Sequence, residues 1–452
     1  MSVRRTNAFD ALRAAARGAV LSPDDDGFQS ACSPWNRAVC QRPAAVVRAA
    51  GREDVVTAVR FAADRRLPIA VQAAGHGARI PADGALLVDT SALAGVEVDP
   101  AAHRVRIGAG ARLIDVVLAA ERHGLAMPVG YARTVGAVGY TIGGGHGWFA
   151  RQHGLASESV CSMDVVTPTG EEVHLTAERD RELWWGMLGH GAAFATVTSM
   201  EVELSEVGEL SGGRLSWPIH RAEDVLAAYA NAAADLPGEV SLDLALLQQD
   251  APDGSRFRSV VVDAVASAPM EVLRSITGAL RSIPDLRADS TTRRRPSGLF
   301  AINDDPTDPT PEHYDGGLVD ALGAREVAAI VTTLGDGAEN PFDSLRIRRL
   351  GGALSQRTPA GAVGYIEEPF LIFGVAIGTD DAVGEAVAEA TARLRHALGP
   401  TLKPQAIPNF VGTTPQAAAT YAPSEPDRLR ALKCRVDPDG LLQFHPPLPL
   451  PD

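Results

Sequence analysis

Residues 134–154 read TVGAVGYTIGGGHGWFARQHG and carry six glycines in their first fourteen positions. Earlier in the chain, residues 73–80 read AAGHGARI, which places His76 between Gly75 and Gly77. Glycine lets a backbone turn with positive φ and approach a ligand closely, so that its N–H groups can bind phosphate oxygens. Each segment alone fits a tight turn, but the two together favour a nucleotide or pyrophosphate site.

Two common phosphate-binding motifs do not match these segments. No Gly-Lys-Ser/Thr follows the glycines, which excludes a Walker loop. The run GGGHGW lacks the third glycine in register, and no acidic residue follows a second strand about 20 positions later, as a Rossmann fingerprint requires. The predicted site is therefore of another kind.

Length and composition describe a globular protein of more than one core. The chain has 452 residues, 45% apolar and 22% charged, which predicts two domains. Its formal net charge of -14 argues against a nucleic-acid partner, since such proteins present basic surfaces to phosphates. Because no apolar run reaches the length of about 18 residues that a membrane span needs, we expect no membrane partner.

The cysteines predict a reducing compartment. The four cysteines form neither a CxxC pair nor a zinc-ligand spacing, so we expect free thiols and no metal site. The first twenty residues have four arginines but no apolar core or cleavage site, and they indicate an amphipathic helix rather than a signal peptide. Together these features predict a cytoplasmic protein.

Hydrophobic periodicity divides the chain into regions of α+β character. Up to about residue 207, short apolar strands alternate with helical segments and glycine-rich turns. Residues 208–400 contain long alternating strands and amphipathic helices, which predict an antiparallel sheet covered by helices on one face. Residues 303–317, NDDPTDPTPEHYDGG, are too polar and proline-rich to predict regular structure.

Several motifs in this order resemble a known family. They are GHG after an apolar strand, LLVDTSALAGVEVDPAAHRVRIGAGA, RTVGAVGYTIGGGHGWFARQHGL, VVTPTGEEV and LWWGMLGHGAAFATVTSMEVEL, followed much later by RRLGGAL and LRALKCRVDPDGLL. Their succession resembles the berberine bridge enzyme-like oxidases of the vanillyl-alcohol-oxidase/PCMH flavoprotein superfamily. The resemblance implies a two-part PCMH-type FAD-binding domain over 1–207 and a substrate domain over 208–400. It also implies that residues 401–452 return to the FAD-binding domain.

The resemblance gives the histidine of GHG a role. Relatives usually read Gly-Gly-His-Ser there, and the histidine bonds covalently to the 8α carbon of FAD, so His76 is implied to carry the flavin. Such a link holds the cofactor and favours substrate oxidation. Many relatives add a cysteine link to flavin C6, but Ala132 stands at that position, which predicts attachment through His76 alone.

The same resemblance implies further contacts to FAD. They come from Gly75, Gly77, Thr134, Val135, Gly136, Gly139, Thr141, Gly144 and Val197. Two segments depart from the family pattern: LGHGAAFA at 188–195 replaces Arg-Gly-Gly-Gly-Asn-Phe-Gly, and GLASES lacks the usual aspartate.

A third departure concerns the catalytic base. Relatives commonly have an Asn-Tyr pair before the last helix, where this chain has Asn409 and Phe410, and a phenylalanine ring cannot take a proton. We expect Tyr365 and Glu367, on a strand facing the flavin, to be the first candidates for the base. Each candidate can equally be a structural residue; the others are Tyr140, His146, Tyr421 and, near the C-terminus, His445.

These features support three hypotheses on function. The first is an FAD-dependent oxidase that moves a hydride from a small or medium secondary metabolite to flavin N5, with O2 as the second substrate and hydrogen peroxide as a product. The second keeps the FAD in a cyclase, a pericyclase or a monooxygenase-like biosynthetic enzyme. The third is a non-enzymatic member that binds FAD, or nothing. The sequence gives no signal for an oligomeric state.

Overall fold

The computed structural model describes residues 8–250, 256–356, 361–412, 418–419, 425–444 and 448. Two residues named from the sequence, Tyr421 and His445, lie outside the described residues.

The first part of the chain builds a small sheet in the order β1-β2-β4-β3, with β2, β4 and β3 parallel. Its elements are α1 (Asp10–Ala15), β1 (Val20–Leu21), α2 (Phe28–Cys32), β2 (Ala45–Arg48), α3 (Arg52–Arg65), β3 (Ile69–Gln72) and β4 (Leu86–Asp89). The three parallel strands are mainly apolar and buried, as is usual where a parallel sheet is covered on both faces. Strand β3 leads directly into the segment that carries His76.

A second, antiparallel sheet has the order β5-β6-β10-β8-β9. Its elements are β5 (Val96–Asp99), β6 (Arg104–Gly108), α4 (Leu113–Glu121), β7 (Leu125–Ala126), α5 (Ala137–Ile142), α6 (Ala150–His153), β8 (Val160–Val166), β9 (Glu172–Leu175), α7 (Arg181–His190), β10 (Thr196–Glu203) and β11 (Ser205–Glu206), which pairs with β7. The glycine-rich segment is therefore not one loop, because the short helix α5 interrupts it.

The third sheet is the largest, with the order β15-β12-β14-β13-β18-β19-β17 and β16 paired to β12. All of its pairings are antiparallel. Its elements are β12 (Ser211–Pro218), α8 (Ala222–Ala234), β13 (Val240–Asp250), β14 (Arg256–Ala266), α9 (Met270–Ile276), α10 (Gly278–Arg281), β15 (Ala288–Asp289), β16 (Thr292–Arg293), α11 (Phe300–Asn303), β17 (Glu312–Val319), α12 (Ala324–Leu334), β18 (Ser344–Arg349), β19 (Phe370–Ile377) and α13 (Asp381–Leu398).

Strand β18 shows how this sheet divides its two faces. Leu345 and Ile347 join the apolar core beneath α8, α12 and α13, whereas Arg346 and Arg348 point to the opposite face. This alternation follows from the two-residue period of a strand. One face of the sheet is thus covered by helices, and the other is free to form a site.

The last part of the chain contains β20 (Gln405–Ala406), β21 (Ala418–Ala419) and α14 (Glu425–Val436). Helix α14 lies on the first part of the protein, since Arg428 binds Glu182 at 2.9 Å and Lys433 donates to the carbonyl oxygen of Ala193 at 2.8 Å. The Ile69 N–H then bonds to the Leu441 carbonyl at 2.8 Å. The boundaries at 207/208 and 400/401 themselves stay predictions.

Two local predictions are wrong. Tyr365 and Glu367 do not lie on a strand: the segment before β19 is irregular, and the strand begins only after Pro369, which has no N–H to give to a ladder. Conversely, the polar segment 303–317 does not stay irregular to its end. From Glu312 onward it forms β17, because eight residues pair with β19. Within the described ranges, the structure has no helix both long and apolar enough to cross a membrane.

Candidate functional site

A cavity of about 690 Å³ lies between the first part of the protein and the uncovered face of the large sheet. Its volume is in the range of small-molecule and cofactor pockets. The 73–80 segment, the glycine-rich segment and the start of β10 form one wall. Strands β17, β18 and β19 and residues 408–412 form the other wall. The cavity therefore joins both glycine segments to the large sheet.

His76 stands in this wall with its imidazole fixed on two sides. Its ring stacks on the indole of Trp35, with centroids 3.8 Å apart and planes 15° from parallel. Its Nε2 lies 2.9 Å from the hydroxyl oxygen of Thr134, at hydrogen-bond distance. Burial lowers the pKa of His76 to about 4, although the nearby Asp305 charge acts to raise it. The imidazole is therefore neutral at physiological pH and keeps a nitrogen lone pair.

Glycine occupies the two positions beside His76 for different physical reasons. Gly75 has a φ of +81°, and a Cβ there would lie 2.8 Å from Pro34, so both backbone and packing require glycine. At Gly77 and Gly139, which line the cavity, a Cβ would meet no protein atom within 4 Å. The protein does not fill the space in front of these two residues, which fits a cradle for a bound group such as FAD.

The segment 34–36 ties this wall to the large sheet. The Trp35 N–H donates to the Ala74 carbonyl at 3.0 Å, and the Asn36 side chain accepts the Glu312 N–H at 2.9 Å. The Asn36 amide also donates to the Glu312 carbonyl at 3.0 Å. Asn36 is 1% exposed, so these bonds are protected from water. The position of His76 is therefore coupled to the start of β17.

Asn409 holds the glycine-rich segment from the other side. Its side-chain oxygen accepts the N–H of Gly145 at 2.7 Å, and its amide donates to the Tyr140 carbonyl at 3.1 Å. A Cβ on Gly143 would lie 2.5 Å from the Asn409 amide nitrogen, so this approach requires glycine. Asn409 therefore acts as a clasp that fixes the backbone next to the cavity.

An aromatic and polar cluster forms one end of the cavity. The hydroxyl of Tyr131 lies 3.4 Å from Nδ1 of His146, and the Arg348 guanidinium carbon lies 3.3 Å from the Tyr131 ring centroid. Burial raises the pKa of Tyr131. Burial and the Arg348 charge lower the pKa of His146 to about 3. Both Tyr131 and His146 are therefore uncharged, and neither is a strong base at neutral pH.

A carboxyl group suited to proton transfer lies on the sheet side. Burial, with a smaller contribution from Asp305, raises the pKa of Glu312 to about 7, while Arg346 acts to lower it. Glu312 lines the cavity at the first residue of β17. A group with a pKa near the working pH can both accept and release a proton, which makes Glu312 the best-matched acid–base group of this wall.

The structure brings most of the predicted cofactor residues together. His76, Gly75, Gly77, Val135, Gly136, Gly139 and Val197 line the cavity. Thr134 reaches it through His76, whereas Thr141 and Gly144 are not in the cavity wall. The hydroxyl of Thr141 is buried and donates to the Ala137 carbonyl at 2.8 Å, so it serves helix α5 instead.

Only some of the residues predicted as catalytic bases lie in the cavity wall. Tyr365 and Glu367 do not line the cavity, which corrects the expectation that they face the flavin. Tyr140 does line it, but its hydroxyl donates to the Pro128 carbonyl at 3.3 Å, and burial raises its pKa. Of the other candidates, His146 lines the cavity.

Sequence reasoning missed Trp35, Glu312, Arg346 and Arg348. The two arginines carried a usable signal, because SLRIRR alternates apolar and charged residues within a strand. For Trp35 and Glu312 no local signal exists. Within the described residues, no group of three or more His, Cys, Asp or Glu side chains is placed to hold a metal ion.

Several known proteins are similar to this chain in sequence. Residues 43–176 match the family model of an FAD binding domain. (R)-6-hydroxynicotine oxidase of Paenarthrobacter nicotinovorans is 30% identical over 290 residues, 64% of this chain and 63% of that protein. An FAD-dependent monooxygenase of Penicillium roqueforti is 28% identical over 238 residues, 52% of this chain and 46% of that protein. The alignments thus span less than two thirds of either relative.

The large-scale fold also has a solved counterpart. BBE-like 1 of Physcomitrella patens superposes with a TM-score of 0.86 at 19% sequence identity, covering 99% of this chain and 100% of that chain. The predicted fold class, a PCMH-type FAD-binding domain with an antiparallel sheet covered by helices, is confirmed. The fold and the site define a flavoprotein with a PCMH-type FAD-binding domain. The chain is thus similar in sequence to FAD-linked oxidoreductases and shares the fold of a BBE-like protein.

Proposed function

We propose that the protein is an FAD-dependent oxidoreductase, an oxidase that acts on a small or medium-sized secondary metabolite. The observation that carries this proposal is His76, a half-buried, neutral imidazole in the cavity wall beside Gly77, which leaves room for a ligand. The FAD-binding domain supports the cofactor. Bound in this cavity, FAD would supply a hydride acceptor for substrate oxidation, with O2 as the final electron acceptor and hydrogen peroxide as a product.

We propose that His76 alone attaches the flavin covalently, at the 8α carbon: the new C–N bond would replace one methyl C–H and one imidazole N–H bond, and O2 would take up the two hydrogens as hydrogen peroxide. Thr134 engages Nε2, which leaves Nδ1 as the ring nitrogen available to form the bond. The low pKa of His76 supports this role, since only the neutral imidazole has a free lone pair. A second link is not supported: none of the four cysteines lines the cavity, and Ala132 occupies the corresponding place in its wall.

The protein's own groups divide the remaining work. Gly77 and Gly139 let the backbone approach the cofactor, and Asn409 holds the glycine-rich backbone in place. Glu312 accepts the proton that the substrate's hydroxyl or amine group loses on oxidation. Its raised pKa makes it ready to do so near neutral pH. Phe373, Val375 and Ile377 of β19 give this side of the cavity an apolar lining.

A second candidate function is a monooxygenase-like or cyclase-type biosynthetic enzyme. Two observations favour it: the Penicillium roqueforti relative is an FAD-dependent monooxygenase, and Phe410 lines the cavity where relatives place a phenol. The candidate functions differ in the amount of O2 consumed and hydrogen peroxide released for each turnover. An oxidase releases one hydrogen peroxide for each O2 consumed, a monooxygenase places an oxygen atom in the product, and a cyclase consumes no O2 in net turnover.

The test of covalent attachment is a denatured mass spectrum with a visible absorption spectrum. Wild-type protein is compared with His76→Ala and with the control His123→Ala, which removes an exposed histidine. We expect a yellow wild type and a yellow control, both heavier than the polypeptide by one FAD, and no added mass in His76→Ala. A yellow wild type without added mass contradicts the covalent link but is consistent with FAD bound non-covalently. A colourless wild type contradicts both the covalent link and FAD binding. The proposed cytoplasmic location is tested separately, by cell fractionation.

A further inference from the structure

Three arginines line the cavity, and each has side-chain nitrogens that lack a hydrogen-bond partner among the described residues. They are Nη1 of Arg79, Nη1 of Arg346, and both Nε and Nη1 of Arg348. Arg346 is 8% exposed and Arg348 is 2% exposed, so water does not readily satisfy these donors. Buried donors in native proteins almost always have acceptors. A bound molecule in the cavity is therefore expected to supply them.

Arg348 lies among three aromatic rings. Its guanidinium carbon lies 3.3 Å from the ring centroid of Tyr131, 4.8 Å from that of Phe373 and 4.9 Å from that of Phe410. Stacking on aromatic faces fixes the plane of the guanidinium group. The N–H groups thus point in set directions, which is what recognition of a planar oxyanion requires.

The other two cavity arginines already have hydrogen-bond partners. Arg79 donates to the Tyr314 hydroxyl at 2.7 Å and to the Pro408 carbonyl at 3.0 Å. Arg346 bonds to Asp305 at 3.3 Å, and its charge also acts on Glu312.

Asp243 is the nearest carboxylate to Arg348. It lies opposite Arg348 in the β13–β18 pairing, and its Oδ2 is 3.5 Å from Nε without forming a hydrogen bond. Asp243 therefore offsets the charge of Arg348 but does not satisfy its donors.

We propose that Arg348 orients the substrate by binding an oxyanion on it, a carboxylate or an ionised hydroxyl group, beside the rings of Tyr131, Phe373 and Phe410. This inference rests on the proposed function, because it names the substrate class of the same cavity. The acceptor chemistry is shared with a ring carbonyl of the flavin, so the test must distinguish the two.

The test is isothermal titration calorimetry of the protein as purified with benzoate and with benzamide. The two probes have the same ring and nearly the same size, but only benzoate carries a charge. Charge-assisted hydrogen bonds are stronger than neutral ones, so we expect benzoate to bind about 10-fold to 100-fold more tightly than benzamide. Equal binding of the two probes overturns the proposal.

Variants test whether Arg348 is the residue that causes the preference for benzoate. Arg348→Met is expected to remove the preference for benzoate and to leave benzamide binding unchanged. The double variant Arg348→Met/Asp243→Asn repeats the measurement without leaving Asp243 buried and unpaired, in case the single variant does not fold. The matched control is Arg349→Met: it follows Arg348 on the same strand but donates to the carbonyl oxygens of Ala233 and Pro369 instead.

The absorption spectrum of the same samples identifies the alternative acceptor. If Arg348→Met shifts the flavin band but keeps the benzoate preference, Arg348 serves the flavin, and the proposal is overturned. If the wild type is colourless, the proposed function fails, yet calorimetry on that protein still decides whether Arg348 binds an oxyanion.

Discussion

The imidazole of His76 lies flat against the indole of Trp35, with ring centroids 3.8 Å apart. The two residues are far apart in sequence, yet their backbones are joined through the Trp35–Ala74 hydrogen bond. Trp35 thus both shields the imidazole from water and sets its orientation toward the cavity. Since a neutral, oriented nitrogen is what covalent attachment needs, the stack supports the proposed attachment through His76.

Replacing Trp35 therefore tests the environment of His76. In Trp35→Ala we expect the pKa of His76 to rise by about one unit toward its ordinary value, because desolvation is reduced. We also expect a smaller fraction of covalently bound FAD, whereas Trp35→Phe keeps the stack and most of the link. The pKa is measured by NMR titration of the apo form and the covalent fraction by denatured mass spectrometry. An unchanged pKa in Trp35→Ala contradicts the shielding role.

Glu312 is expected to control the pH dependence of turnover. If it accepts the substrate proton it must be ionised, so kcat/KM rises with pH through about 7, the pKa of Glu312. Glu312→Gln is expected to lower kcat/KM by about 10²-fold to 10⁴-fold, the usual contribution of a general base, and to remove the inflection. Glu367→Gln is the control, because Glu367 is exposed and lies outside the cavity wall. Steady-state kinetics between pH 5 and 9 decide the matter, and an inflection retained in Glu312→Gln rules out this assignment.

The same carboxyl group predicts a change in stability with pH. Burial raises the pKa of Glu312 from 4.5 to about 7, so between these values the folded protein holds a proton that the unfolded chain releases. Stability from this group is therefore fully present below pH 4.5 and is lost as pH rises through 7. We expect the Tm of wild type to fall relative to that of Glu312→Gln between pH 5 and 8. A constant difference in Tm over this range contradicts the raised pKa.

The cofactor loop could be predicted from sequence because its signal is local. Gly75, His76 and Gly77 are neighbours, and the backbone conformation of Gly75 and the open space at Gly77 follow from that short segment. The strand that precedes them is equally local, since Ile69–Gln72 is an apolar run bounded by turn residues. In such short segments, the residues themselves largely determine the local structure.

The opposite wall could not be predicted, because sheet order brings it together. Glu312 on β17 and Arg348 on β18 become neighbours of one cavity only through β19, which lies between the two strands. Glu312 follows a run of prolines, and its value as a base depends on burial and on Asp305 and Arg346, none of which a local pattern shows. The strand predicted at Tyr365 is absent for a related reason, because Pro369 stops the pairing of β19 before it reaches that residue.

Asn409 gives the last prediction, on the clasp between the C-terminal part and the glycine-rich segment. Asn409→Ala removes the acceptor of the Gly145 N–H and the donor to the Tyr140 carbonyl. Leaving two buried backbone groups unpaired is expected to lower the free energy of unfolding by about 2 to 4 kcal/mol.

Asn409→Asp separates the two bonds, because a carboxylate still accepts from Gly145 but cannot donate to Tyr140. We expect it to lie between wild type and Asn409→Ala, both in urea denaturation and in the amount of FAD retained. Phe410→Leu is the control for the neighbouring apolar contact, since it keeps both bonds of Asn409. If Asn409→Ala is as stable as wild type and retains FAD equally well, the glycine-rich backbone is held by its own turns, and the clasp has no part in forming the site.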